Sequence, residues 1–408
     1  MPRHAANGSK NGKRNKTALV CAGGGLTGMV YEAGCLKAID DFFANFSVLD
    51  FDIYVGVSAG AYIAACCANR ISPEEMYRDI VERSERSQTF SRAPIFQLNT
   101  SEIAAKLKRI PGLAYETART YVRNWRSWTL ADFVFSLGEL LPSGIMDNTG
   151  TGEYLRDLFS QEDRTDDFRK LDKELYVVAT NIDTGEATVF GECCRDTPIS
   201  LAVQASGALP GVWKPVRIGD TEFVDGGINR TAHMLQAIKH GAGLILCVNP
   251  IVPIFNPVES PVLPRRNGRP AYLSEKGLPT ILDQAFRIVL HSRMKYGLQF
   301  YAQSYPDVEI ILIEPPRDDL KMFVYNILRY SVRVDIAQHG FATARRTFQR
   351  HFDEYAAVFA RHGVKLSSEL VETEQARMDQ GTPVFRHGPM NALSRSLEKL
   401  EMRLRNAS

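Results

Sequence analysis

The feature that most constrains the fold is a set of short, mostly apolar segments that run directly into turns. Residues 17–22 (TALVCA) precede three glycines, residues 51–55 (FDIYV) precede Gly56, and residues 241–250 (GAGLILCVNP) end at a proline. Strands with continuous apolar cores are typical of parallel sheets that are covered on both faces. Helix-like stretches separate these segments. The sequence therefore predicts a three-layer α/β/α fold around a mainly parallel sheet.

The remaining elements follow from apolar periodicity and turn residues. Residues 174–190 are predicted to form two strands around an Asp-Thr-Gly turn, and residues 221–227 a short strand with a glycine turn at its end. The predicted helices cover residues of about 28–44, 59–69, 199–209, 280–303 and 332–362.

Regions that depart from the strand–helix alternation set the predicted domain limits. The main domain is expected at 17–250, with a mostly helical insertion at about 90–145. Residues 250–279 hold seven of the 20 prolines, which predicts an extended excursion at 251–279. The other predicted regions are a disordered basic leader at 1–16, a helical extension packed on the main domain at 280–364, and a tail at 365–408 with a short amphipathic helix.

Composition excludes several classes of function. The net charge is only +2, from 49 basic and 47 acidic residues, so nucleic acid is not an expected partner. No run of 18 apolar residues is present, so no transmembrane helix is expected. The seven cysteines are odd in number and lack metal-binding spacing. They are interpreted as reduced core residues in a cytoplasmic protein, and neither a metal nor another cofactor is expected.

A glycine-rich loop joins the first predicted strand to the first predicted helix. The segment from Gly23 to Gly28 matches G-x-G-x-x-G, which suits a dinucleotide site or an oxyanion hole. A nucleotide-binding fold would place an acidic residue near the end of the second strand, and none is present there. Consecutive glycines let the N–H groups of Gly24 and Gly25 point at one spot, beside the positive end of the helix. The alternative is a glycine turn that only permits close packing of strand and helix.

A serine lies between the second predicted strand and the second predicted helix. Ser58 is the centre of Gly56-Val57-Ser58-Ala59-Gly60. Small neighbours relieve crowding in a sharp strand-to-helix turn that exposes a nucleophilic serine. The carboxyl ends of neighbouring parallel strands lie side by side, so this turn and the glycine loop are expected to meet.

The base that would activate Ser58 is not a nearby histidine. Asp225 ends a predicted strand and precedes Gly226 and Gly227, which keep side chains away from its carboxylate. It is the preferred base, and His233 is the alternative. Asp183 is interpreted as a turn residue.

The other histidines that follow Ser58 are expected in structural positions. His240 is expected at a helix end. The remaining five are expected on the surface of the helical region and tail: His291, His339, His351, His362 and His387.

These motifs, in this order, resemble those of the patatin-like phospholipases. Residues 179–190 and 205–216 also look similar to family segments, and the resemblance spans about 17–250. It implies a Ser–Asp dyad with Ser58 as nucleophile and Asp225 as base. It also implies an oxyanion hole built from four glycines: Gly23, Gly24, Gly25 and Gly28.

Two loop positions differ from the common family pattern. Thr27 occupies a position that is often Arg or Lys, and Ala22 one that is often Asp. The resemblance implies a lipid acyl hydrolase of phospholipase A, lysophospholipase or lipase type. The alternatives are a non-catalytic lipid-binding scaffold with the same fold and a histidine-triad serine esterase.

The predicted insertion contains a candidate membrane contact. Between Arg92 and Arg126 there are seven Lys or Arg residues against two Glu, with aromatic residues between them. A basic stretch with aromatics is typical of contact with an anionic membrane surface, here through about 92–128. The alternative is a covering helical layer whose charges face solvent.

Overall fold

The computed structural model describes residues 15–81, 97–123, 141–161, 163–263, 272–324 and 330–368. The strands are β1 Lys16–Cys21, β2 Ile53–Val57, β3 Gln97–Leu98, β4 Gly144–Asp147, β5 Glu174–Asn181, β6 Ala187–Phe190, β7 Gly211–Trp213, β8 Val216–Ile218, β9 Thr221–Asp225, β10 Ala242–Val248 and β11 Glu309–Ile313. The α-helices are α1 Gly25–Phe42, α2 Ala59–Ala68, α3 Pro73–Val81, α4 Thr100–Arg123, α5 Thr149–Phe159, α6 Ile199–Ser206, α7 Met234–Lys239, α8 Leu278–Ser304, α9 Leu320–Val324, α10 Arg333–Arg350 and α11 Phe352–Arg361.

Eight strands form the central sheet, in the order β11-β10-β1-β2-β5-β9-β8, with β6 also paired to β5. Strands β11, β10, β1, β2 and β5 run parallel. Strands β6 and β9 each pair antiparallel with β5, and β8 pairs antiparallel with β9. A separate small sheet has the order β3-β4-β7. The predicted α/β fold with a mainly parallel sheet is confirmed.

Helices cover both faces of the sheet because successive side chains of a strand point to opposite faces. In β1, Ala18 and Val20 join a core cluster with residues of α7 and α8. Leu19 and Cys21 join the larger cluster with α1, α2, α3, α6, α10 and α11. The continuously apolar strands are thus explained by burial on two sides.

The register around β5 brings the ends of two strands together. Val57 of β2 pairs with Val178 of β5, and the next residue, Ala179, pairs with Asp225 of β9. Both β2 and β9 lie on the edge of β5 that is opposite β6, because β6 already pairs with residues 177–180 on the other edge. The strands β2 and β9 therefore meet end to end, each at its carboxyl end.

The C-terminal region differs from the predicted helical extension, because it contributes a strand to the central sheet. Strand β11 pairs in parallel with β10, with Leu244 opposite Glu309 and Val248 opposite Ile313. Only Ile311 and Ile313 of this strand are buried, whereas β2 and β10 are buried throughout. Lower burial is expected for a strand at the edge of a sheet. The predicted single helix at 332–362 is two helices, α10 and α11, which are separated at His351.

Two glycines allow α1 and α10 to approach closely. A Cβ atom at Gly34 would lie 2.1 Å from the carbonyl oxygen of Ala337, and one at Gly340 would lie 2.3 Å from that of Tyr31. The predicted apolar face of the C-terminal helices packs here, with the rings of Phe42 and Phe348 5.1 Å apart. The C-terminal helices are therefore integral to the layer that covers the sheet.

We expect Gly340→Ala to lower the free energy of unfolding by ~1–3 kcal/mol, because a backbone clash cannot be relieved by changing a rotamer. The intrinsic helix preference of alanine offsets this by at most about 1 kcal/mol. Gly112→Ala is the matched control, since no atom lies within 4 Å of its added Cβ. Urea unfolding of both variants checks the prediction. Equal or greater stability of Gly340→Ala would contradict the close contact.

Several predicted features lie partly or wholly outside the described residues. These are most of the leader, the tail with its amphipathic helix, His387, and the parts of the insertion at 90–96 and 124–140. The described part of the insertion is mainly α4. No helix in the described residues is both long enough and apolar enough to cross a membrane.

Candidate active site

Ser58 occupies the predicted sharp turn between β2 and α2. Its backbone has φ 55° and ψ −125°, which is unusual for a residue other than glycine. The flanking glycines make the turn possible. A Cβ at Gly56 would lie 2.4 Å from the Cα of Ala61, and one at Gly60 would lie 2.2 Å from the carbonyl oxygen of Cys21. The turn is thus packed tightly on both sides.

Ser206, at the end of α6, holds this turn in place. The amide of Ser58 donates a hydrogen bond to Ser206 Oγ at 2.8 Å, and Ser206 Oγ donates to the carbonyl oxygen of Val178 at 2.6 Å. Ser206 is completely buried. Its role was not predicted, because Ser200 and Gln204 on the same helix are also buried and no local pattern distinguishes Ser206 from them.

The glycine loop lies directly against Ser58. A Cβ at Gly23 would be 3.0 Å from Ser58 Cβ and 3.6 Å from Ser58 Oγ. Gly24 is the N-cap of α1, and Gly25 begins the helix with φ 59°. Amides at a helix start have no acceptor within the helix, so those of this loop are available to a ligand. The predicted meeting of the loop and the serine is observed.

Gly28 differs from the other three glycines. Its amide donates a hydrogen bond to the carbonyl oxygen of Gly24 at 2.9 Å, so it is used within α1 and is not free to bind an oxyanion. The predicted role of Gly28 as an oxyanion donor is therefore corrected. Its missing side chain instead makes room for Pro250, whose Cγ would lie 3.0 Å from a Cβ at this position. Pro250 also packs on Gly24.

Asp225 lies at the end of β9, opposite the end of β2. Its Oδ1 accepts a hydrogen bond from the amide of Gly227 at 2.8 Å. Burial raises the pKa of the Asp225 carboxyl to about 6, although hydrogen bonds from the Ser58 side chain and the Gly227 amide act in the opposite direction. The carboxyl is therefore mostly ionised at neutral pH and is a stronger base than an exposed aspartate.

The neighbouring glycines are again required by packing. A Cβ at Gly226 would lie 2.1 Å from the carbonyl oxygen of Val178, and one at Gly227 would lie 3.1 Å from Asp225 Oδ1. Gly227 therefore leaves space for the Asp225 carboxyl, as predicted, whereas Gly226 is needed for the close approach of this turn to β5.

Known proteins place this arrangement in a family. The family model described as patatin-like phospholipase matches residues 19–238, which is more than half of the chain. The chain belongs to the patatin-like phospholipase family. The match includes the glycine loop, Ser58 and Asp225. Membership supports hydrolysis of lipid acyl esters in general.

Among solved structures, VipD from Legionella pneumophila is similar, with a TM-score of 0.37 and 14% sequence identity over 83% of this chain and 67% of that chain. A likeness of that degree says nothing about activity. A comparison with curated proteins found no match.

His233 lies near the patatin-like motifs but is directed elsewhere. Its Nε2 is 3.4 Å from the carbonyl oxygen of Gly226. Burial is the main cause that lowers the pKa of His233, to about 4, so the ring is neutral at physiological pH. The ring is positioned to hold the loop after Asp225 by its contact with the Gly226 carbonyl.

The remaining described histidines lie beside other carboxylates. His240 stacks on Tyr176 with ring centroids 4.4 Å apart, close to Glu174 at the start of β5, whereas Ser58 lies beyond the end of β2. The prediction that the last five histidines are exposed is wrong for His291, which is buried and lies 3.6 Å from Glu314, and for His339 and His362, which are only partly exposed. A side chain in a sheet-facing helix becomes buried once that helix is docked.

The side chains that could bind a metal are dispersed in the described residues, and most cysteines are buried. In the described part of the chain, no group of three or more His, Cys, Asp or Glu residues could hold a metal ion. All seven cysteines are free; five are buried as predicted, whereas Cys193 and Cys194 are exposed. Asp183 lies in the exposed turn after β5, as the sequence predicts.

Proposed function

We propose that the protein is a serine acyl hydrolase that cleaves fatty-acyl esters of lipids of the phospholipase A, lysophospholipase or lipase type. The observation that carries the proposal is the pairing of Ser58, in a strained turn, with Asp225, whose burial raises its pKa to about 6. A hydroxyl needs a partner that takes its proton, and a desolvated carboxylate in hydrogen-bond contact fits that role.

In the proposed mechanism, Ser58 Oγ attacks the ester carbonyl carbon while its proton passes to the Asp225 carboxylate. Protonated Asp225 then donates the proton to the leaving alcohol, which leaves an acyl group on Ser58. Water attacks this acyl-enzyme with Asp225 again as base, and the fatty acid is released. The proton taken from Ser58 leaves with the alcohol, and the proton taken from water passes through Asp225 to Ser58 Oγ as the acid departs, so Asp225 is a carboxylate again after each half of the cycle.

The oxyanion of the tetrahedral intermediate would be held by the loop at the start of α1. The amides of Gly24 and Gly25 are the proposed donors, and Gly23 leaves space beside Ser58 Oγ. The amino-terminal end of α1 adds a partial positive charge. Donors of this kind are typically worth about 10²–10³ in rate each.

A fluorophosphonate probe tests the proposal, because it reacts with an activated serine and not with an inert scaffold. We expect labelling at Ser58, located by mass spectrometry of the digested protein. The labelling rate should rise with pH and level off above about pH 6, because Asp225 accepts a proton only when ionised. At one pH unit below that pKa the rate should be about a tenth of its plateau.

The two alternatives give different labelling results. Absence of labelling in folded protein would support the non-catalytic lipid-binding scaffold. Loss of labelling in His233→Gln with Asp225 intact would support the histidine-triad esterase. The Ser–Asp proposal expects His233→Gln to remain reactive, because the ring contacts the Gly226 carbonyl and is neutral.

We further propose that the insertion contacts a membrane surface through about 92–128. Three large apolar side chains on α4 are exposed: Leu107, Tyr115 and Val122. Lys108 and Arg119 on the same helix are exposed as well. Exposed apolar side chains together with cations favour an anionic interface.

A further inference from the structure

An exposed row of large apolar side chains lies on α8, outside the segment matched by the family model. The inner side of this helix packs on the sheet through Met294 and Tyr301. The opposite side is apolar as well, and we name it the α8 outer face. Six residues define it, each between 43% and 71% exposed: Leu278, Ile281, Leu282, Val289, Tyr296 and Phe300.

The spacing of these residues places them in a stripe along one side of the helix. Successive members are separated by three, one, seven, seven and four positions, which keeps them within about a third of the helix circumference. From Leu278 to Phe300 the stripe is ~33 Å long at the rise of an α-helix. A row of exposed apolar side chains of this length is expected to meet an apolar partner.

The charges beside the stripe favour an anionic partner. From residue 284 to residue 304 the helix contains no Asp or Glu, whereas Arg293 and Lys295 are both exposed. A second copy of this chain on the same face would bring like charges together, because a two-fold interface pairs a surface with itself. An anionic lipid surface instead complements both the cations and the apolar stripe.

The stripe also adjoins a cavity lined by residues 229–235, which follow Asp225 in the chain. Tyr296 and Phe300 line a cavity of about 480 Å³ whose other wall includes Arg230 and His233. His233 in turn contacts the carbonyl oxygen of Gly226, the residue after Asp225. Arg293 joins the two walls through hydrogen bonds to the carbonyl oxygens of Ile228 and Asn229. The outer face therefore adjoins the loop that carries the proposed base.

We propose that the α8 outer face is the surface by which this protein docks on a bilayer that contains anionic phospholipid. The idea that docking brings lipid substrate to Ser58 rests on the proposed acyl hydrolase function, whereas the docking itself does not. Docking buries the stripe in the interfacial region and places the cavity at the level of the lipid headgroups. This surface is distinct from α4.

Flotation with vesicles tests the proposal. Wild-type protein is expected to float with vesicles of equal parts phosphatidylcholine and phosphatidylserine, and less with phosphatidylcholine alone. In Val289→Asp and Tyr296→Asp, binding should fall about tenfold or more, because each loses a buried apolar side chain. Lys295→Gln should weaken binding about fivefold, and only to the anionic vesicles.

Two matched variants control for added charge. Ile182→Asp changes an apolar residue that is 46% exposed in the turn after β5 and is not part of α8, and should bind as wild type does. Leu107→Asp places the same charge on α4. Comparing its flotation with that of Val289→Asp distinguishes docking through α4 from docking through the α8 outer face. Circular dichroism melting should confirm that each variant is folded.

Three results would overturn the proposal. These are no flotation of the wild type with anionic vesicles, equal flotation of the α8 and Ile182 variants, and a wild-type dimer that Val289→Asp converts to a monomer with vesicle binding unchanged. Hydrolysis of soluble p-nitrophenyl butyrate is measured in parallel. Vesicle binding without esterase activity would reject the proposed function alone, whereas esterase activity without vesicle binding would reject the docking surface alone.

Discussion

Replacement of Ser58 by alanine is expected to reduce kcat/KM for ester hydrolysis by at least ~10⁴, the scale of nucleophile loss in serine hydrolases. The reason is that Ser58 lies against the glycine loop and is hydrogen-bonded to Asp225, so it is the proposed nucleophile. The alanine lacks the oxygen that forms the acyl-enzyme. Release of fatty acid from a mixed lipid extract, followed by mass spectrometry, provides the measurement and identifies the lipid class cleaved.

Asp225→Asn is expected to reduce the same quantity by ~10²–10⁴, because the amide has nearly the same shape but cannot accept the proton. Asp183→Asn is the control, since Asp183 lies in an exposed turn and should retain full activity. Activity of Asp225→Asn close to wild type, in protein that melts cooperatively, would reject Asp225 as the base. Retained activity in Ser58→Ala would reject the dyad altogether.

The same Asp225→Asn substitution is expected to stabilise the protein at neutral and alkaline pH. Burial raises the pKa of Asp225 from 3.8 to about 6, so the folded state binds this proton more tightly than the unfolded state does. Stability from this group is complete below the unfolded pKa and is lost as pH rises through the folded pKa. The loss amounts to ~3 kcal/mol above that range, at 1.36 kcal/mol for each unit of pKa.

Urea unfolding at about pH 4 and about pH 8 measures this effect. The variant carries no charge at this position, so its free energy of unfolding should exceed that of the wild type by up to ~3 kcal/mol at the higher pH and by little at the lower. Asp183→Asn should show no such dependence, because that residue is exposed. If the difference in free energy of unfolding between Asp225→Asn and the wild type did not change with pH, ionisation of the buried Asp225 would not destabilise the folded protein.

Much of the candidate site could be predicted because its parts are local in sequence. The turn at Ser58 requires small residues on each side, and Gly56 and Gly60 supply them within five positions. The start of α1 after β1 exposes amides whatever the rest of the fold does. The Asp-Gly-Gly sequence marks a carboxylate at a strand end with free space around it. Each signal depends on neighbouring residues of the chain alone.

Other features could not be predicted because they depend on partners far away in sequence. The amide of Ser58 is held by Ser206, which is 148 positions later. Gly28 matches the glycine motif, yet its amide is used inside α1, which begins at Gly25 and not near residue 28 as predicted. Strand β11 was missed because it lies at a sheet edge within an otherwise helical region.

The class of fold, the proposed nucleophile and the preferred base could be predicted from the sequence, because apolar segments and glycine turns act through short-range sterics and burial. The contact between Ser58 and Asp225 could not be predicted in this way, because it depends on tertiary structure. That contact follows from the register of β5, where Val178 pairs with the end of β2 and Ala179 with the end of β9. Burial of Asp225 at that junction then raises its pKa to about 6, which no local pattern of residues encodes.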